Sequence, residues 1–167
     1  MGHIVIALAA LLLVACGQGS VERTELGNAE VQLFAPTITF ELDAHPRLGA
    51  PAAAAFARLN AATCLGLQTV AGGQHEVRMV PGDEVPNGRL AHTGGESWDN
   101  TVIRLNRSMR PAYLEKILMH EVWHVLARTN GHTGKGIARN GVGETIDEAM
   151  LAGICEVQDC LCFNPEL

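Results

Sequence analysis

The sequence predicts a single mixed α/β domain of the α+β kind, with a few strands and three helices around one core. Three observations predict it. Runs rich in β-branched and aromatic residues are interspersed with stretches of helical periodicity. At 167 residues, with 47% hydrophobic and 18% charged residues, the chain can bury one core of ordinary size and lies outside disordered compositions. No internal repeat, low-complexity tract or second linker marks a further boundary, so residues 30–167 form one domain.

The elements follow in order. "VQLFAPTITFEL" (31–42) has the β-branched and aromatic content of a strand. "LGAPAAAAFARLNAAT" (48–63) is alanine-rich and stops before Gly66, as a helix would. "LQTV" (67–70) and "EVRMV" (76–80) read as a strand pair or hairpin around Gly72-Gly73. "PGDEVPNG" (81–88) is a turn-rich connection, and "AHTGGESWD" (91–99) reads as a loop leading into the strand "NTVIRLN" (100–106). A long helix is predicted from Pro111 to Thr129, with proline suited to its first turn. A last helix is predicted from Thr145 to Val157, opened by a Thr145-x-x-Glu148 capping box.

The first fifteen residues stand apart from this fold. "IVIALAALLLVAC" (4–16) is an apolar run of signal-peptide length, short for a membrane span. Its end, Leu13-Val14-Ala15-Cys16, resembles the lipobox of bacterial lipoproteins, which implies cleavage before Cys16 and a lipid anchor on it. Residues 16–29 then form a tether. Gly17 after the cysteine lacks the aspartate associated with inner-membrane retention, so the expected location is the outer membrane or the outer face of the cell membrane. Four further cysteines, Cys64, Cys155, Cys160 and Cys162, suit two disulfides of unassigned connectivity in an exported protein. A net charge of −6 with no basic run excludes nucleic acid as a partner class, and a monomer is expected.

The chemistry concentrates in "LMHEVWHVLARTNGHTG" (118–134). His120 and His124 are four residues apart, so on a helix their imidazoles sit about 40° apart around the axis and one turn apart along it. They can converge on one ion, and zinc suits neutral imidazole nitrogens. Glu121 lies beside such an ion, placed to take a proton from a water whose pKa the metal lowers. Leu114, Leu118, Val122, Val125 and Leu126 occupy the opposite side and would bury the helix. Tyr113 lies too far from His124 to serve the reaction, Trp123 packs beside the helix, Trp98 covers the edge strand, and His92 reads as a loop histidine in preference to one lining the cleft. No Gly-x-Ser-x-Gly elbow supports a serine nucleophile.

The motif in this order resembles the zincin metallopeptidases, and within them the metzincins, nearest to matrixin-like proteins. "ITFELDA", the alanine-rich helix ending "RLNAAT", "VIRLN" and "LMHEVWHVLARTNGHT" follow the order of a matrixin catalytic domain and span most of the chain after the tether. The resemblance implies a small twisted mixed sheet with a helix behind it, one catalytic zinc ion, and a peptide or protein substrate. It also implies that the substrate lies along the strand before the active-site helix, here "NTVIRLN".

The chain departs from the family motif in spacing. Ala127 stands where the family has glycine and Asn130 where it has its third histidine. Alanine resists the positive φ of that turn, so the helix is expected to continue to Asn130-Gly131, with His132 returning to the metal after it. Glu148, in "IDEAM", is the rival third ligand, by its similarity to the gluzincin pattern, with Glu144 a weaker one; the supporting aspartate of that pattern is replaced by Ala152. Met150 reads as core rather than as the metzincin turn methionine. The expected function is zinc-dependent endopeptidase activity, with Glu121 as base and His120, His124 and His132 as ligands. The alternatives are an inactive zinc-binding or partner-binding lipoprotein of the same fold, a peptidase using Glu148, and a structural lipoprotein without metal.

Overall fold

The computed structural model describes residues 23–26, 29–32, 37–63, 65–132, 145–146 and 148–158. The predicted signal segment, Cys16, Cys64, Glu144, Cys160 and Cys162 lie outside the described residues. Cys155 is half-buried with a free thiol, and the partners expected for it fall among those cysteines. Among the described residues no helix is long and apolar enough to cross a membrane.

The mixed α/β class is present as a five-stranded mixed sheet with helices. The first expected strand is divided. β1 (Arg23–Leu26) and β2 (Ala29–Gln32) form a separate antiparallel pair, so part of the expected tether is strand. β3 (Thr37–Leu42) begins directly after Pro36, which has no N–H to give a ladder. α1 (Gly49–Thr63) buries Ala52, Ala55, Phe56 and Leu59, the spacing of one helical face.

β4 (Gly66–Thr69) and β5 (His75–Val80) are not a hairpin. Both run parallel to β3, on its two sides, and Phe40 pairs with Thr69 on one and His75 on the other. The chain crosses over β3 between them. Gly73 makes the crossing possible, since a Cβ there would stand 2.5 Å from the Phe40 carbonyl carbon.

β6 (Ala91–Ser97) and β7 (Asn100–Asn106) follow, paired antiparallel through the two residues Trp98 and Asp99. The sheet order is β4-β3-β5-β7-β6. Residues 91–97, expected as a loop, therefore form a strand, one of the two edges of the sheet among the described residues. β7, expected at the edge, is interior, paired with β5 on one side and β6 on the other.

α2 (Pro111–Leu126) starts at Pro111 as expected, and Arg47 secures its approach by donating to the carbonyl oxygens of Arg107 and Met109. Leu114, Leu118, Val122, Val125 and Leu126 are all buried, and so are Ile117, Met119 and Trp123 on the flanks. α2 is therefore enclosed on nearly every side, sharing one core with Phe40, Phe56, Leu59, Ile103 and Leu105. α3 (Glu148–Gln158) begins three residues later than expected, so Glu148 opens it; Met150 and Ile154 face the core.

Candidate metal centre

The site is assembled at the end of α2. The helix stops at Leu126, earlier than the sequence suggested. Ala127 keeps a helical φ of −86°, and the left-handed residue is Arg128, at φ 46°. Thr129 N donates to His124 O (3.2 Å) and Arg128 N to Val125 O (3.3 Å), the paired bonds of a Schellman cap. Glycine usually fills that left-handed position, because a Cβ there is strained. Here the Arg128 guanidinium reaches Asp99 of the β6–β7 turn at 2.5 Å, which helps offset the strain.

The cap turns the chain back over the helix. Thr129 presents its carbonyl to His124 Nδ1 at 2.6 Å, so Nδ1 carries the proton and Nε2 is left as an acceptor. Three residues on, His132 comes over the histidines of the helix. His120 Nε2 lies 3.1 Å from His124 Nε2 and 3.2 Å from His132 Nε2. One N–H cannot serve two such contacts, so the three nitrogens are set around a shared point. Ligands at zinc–nitrogen distances of about 2.0–2.1 Å in a tetrahedron lie about 3.3–3.4 Å apart, close to the spacings found. The three histidines fit a metal ion. Among the described residues they alone form such a cluster; Glu148, exposed at the start of α3, is not part of it.

Protonation favours the same use. Burial, and then positive charge on His120, holds the His124 imidazole down to about 4. Burial likewise lowers His132. Both are neutral near pH 7, as metal ligands must be.

Glu121 lies next to the cluster, 6% exposed, with its partner on the edge strand. The Thr93 hydroxyl donates to Glu121 Oε2 at 2.5 Å. Burial pushes the Glu121 carboxyl up to about 6, against the opposing pull of that hydroxyl. His120, His124, His132, Glu121 and Thr93 line one cleft of about 800 Å³, walled by β6.

The remaining candidates sort by position. His92 is on β6 and lines the cleft, so it is not a loop residue. Trp98 sits in the turn closing β6 and also lines the cleft. Trp123 is buried in α2, its ring centroid 4.7 Å from that of His124. Tyr113 is exposed near the helix start and does not line the cleft. Met150 is buried, as core. Thr93 and Arg89 were missed from sequence because they lie in or beside the stretch read as a loop; Thr93, alternating with Ala91 before a two-residue turn, was the available signal. Comparison with protein-family models and with curated proteins found no match for the chain.

Proposed function

We propose that the protein is a zinc-dependent endopeptidase, held on the cell envelope as a lipoprotein through Cys16. The observation that carries this reading is the meeting of three histidine Nε2 atoms and a buried glutamate in one cleft, beside β6, an edge strand among the described residues. Zinc bound there would supply Lewis acidity, lowering the pKa of a water and polarising a scissile carbonyl.

The rest of the work falls to the chain. His120, His124 and His132 would hold the ion, and the Thr129 carbonyl keeps His124 in the tautomer that can ligate. Thr93 fixes the Glu121 carboxylate through its hydroxyl and its backbone, and that carboxylate would take a proton from water. It then returns that proton to the leaving amine. A carboxyl raised to about 6 suits both acts near neutrality. Among the described residues no strand pairs with the outer side of β6, which would leave its N–H and C=O groups to an extended peptide. The apolar run ending in Leu13-Val14-Ala15-Cys16 supports the lipid anchor and an outer-membrane or outer-surface location.

The test is zinc content and hydrolysis of an unfolded protein substrate, for wild type and four variants. Zinc near one per chain is expected for wild type, Glu148→Ala and Glu121→Ala, and lost in His124→Ala and His132→Ala. Hydrolysis is expected only from wild type and Glu148→Ala. A Glu121→Ala protein that keeps full activity would overturn the catalytic assignment, and a wild type that takes up no zinc would overturn the whole reading.

A further inference from the structure

The cleft has a charge pattern that metal ligation leaves unused. Among its lining residues the fixed charges are Arg89, Glu96 and Glu121, and Glu121 is committed to Thr93. Arg89 and Glu96 are both exposed and neither forms an ion pair among the described residues. They stand at the two ends of the edge strand. Arg89 has extended backbone (φ −70°, ψ 167°) just before β6 begins, and Glu96 is next to last in β6. Six residues lie between them, a bend at Leu90 and then Ala91–Gly95 of β6, so the two are at most about 23 Å apart along the chain at about 3.3 Å per residue.

Thr93, the contact to Glu121, lies between them, four residues from Arg89 and three from Glu96. The reacting position is thus near the middle of a strand that is positive at one end and negative at the other. Arg89 is also close enough to the centre for its charge to act on Glu121, His92 and His132.

Resting on the peptidase reading above, we infer that the cleft selects dipolar peptides. The favoured segment carries an acidic side chain toward Arg89 and a basic side chain toward Glu96, about three positions to either side of the scissile bond. An extended peptide of six or seven residues spans the two charges. Exposed ion pairs are individually weak, so discrimination arises from two favourable pairs in one order of charges against two unfavourable ones in the reverse.

The experiment uses the zinc-loaded full-length Glu121→Gln variant, which separates binding from turnover. Three fluorescent octapeptides share a neutral centre: one with Lys near the N-terminal end and Glu near the C-terminal end, one reversed, and one neutral. Fluorescence polarisation is expected to show one charged order binding about fivefold tighter than the neutral peptide and the other more weakly. Adding Arg89→Glu with Glu96→Arg is expected to invert the order, and 1 M NaCl to erase it. Equal binding of all three peptides, a preference unchanged in the charge-swapped variant, or no binding of any peptide would each overturn the inference. Hydrolysis of the neutral peptide by wild type is read separately. Cleavage without charge preference removes this inference and keeps the peptidase reading, whereas charge-selective binding without cleavage removes the peptidase reading and keeps the selective cleft.

Discussion

Thr93→Val removes the hydroxyl that donates to the Glu121 carboxylate, while keeping the Thr93 backbone beside it and nearly the same volume. Both residues are buried, at 4% and 6% exposure, so water does not freely replace the lost hydroxyl. A hydrogen bond to a buried charge contributes about 1.5–3 kcal/mol. The metal-free protein at pH 8 is therefore expected to lose about 2 kcal/mol, or roughly 6–8 °C in Tm for a domain of this size. The carboxyl, at about 6 in the wild type, is ionised under these conditions. Urea unfolding of wild type, Thr93→Val, Glu121→Ala and the double variant closes a cycle whose coupling isolates the pair. Thr93→Ser is expected to retain most of the coupling, because the donor remains. A loss below about 0.5 kcal/mol with no coupling would refute the assignment of Thr93 as the residue that holds Glu121.

Three further outcomes are expected. Zinc at about a thousand times its Kd stabilises the fold by about 4 kcal/mol, an increment that a chelator removes and that His132→Ala abolishes in thermal melts. Arg128→Gly relieves a left-handed backbone at φ 46° but gives up an exposed ion pair to Asp99, so it gains up to about 1 kcal/mol, more in high salt than in low; a salt-independent loss in unfolding titrations would contradict this. Burial lowers the pKa of His75, so as pH falls the unfolded chain takes up its proton first, and stability present above about pH 6.5 is lost below it. The stability drop between pH 7.5 and 5.5 is accordingly smaller in His75→Gln than in wild type; an equal drop would exclude His75 as a contributor.

What the sequence made legible was decided by periodicity and motif. The two long helices announced themselves through alanine content, apolar spacing and Pro111, and the histidine pair through its four-residue interval. His132 was found by looking past a broken motif to the next histidine, which the fold brings within 3.2 Å of His120. β6 was hidden because an edge strand buries little: of its seven residues only Ala91 and Thr93 are buried, and two are glycine. Missing it displaced the edge onto β7 and concealed Thr93. The end of α2 was misjudged for a different reason. Local preference assigns left-handed backbone to glycine or asparagine, whereas here an arginine takes it under a tertiary tie to Asp99, 29 residues earlier in the chain. The crossing of β3 between β4 and β5 was likewise invisible, since Gly72-Gly73 suits a hairpin equally well.

The Thr93–Glu121 bond divides the centre into two parts with different requirements. His120, His124 and His132 lie within thirteen consecutive residues, so α2 and its cap carry the whole histidine cluster found among the described residues. The hold on Glu121 comes from 28 residues upstream, across the β6–β7 hairpin. On the proposed reading, ion binding calls on one local segment, whereas the placement of Glu121 calls on the β6–β7 hairpin as well. A chain in which β6 has not docked would keep the histidine segment and lack the contact that places Glu121. On the same reading, metal content and hydrolysis would therefore report on different parts of the fold, the first on α2 and its cap and the second also on the docking of β6.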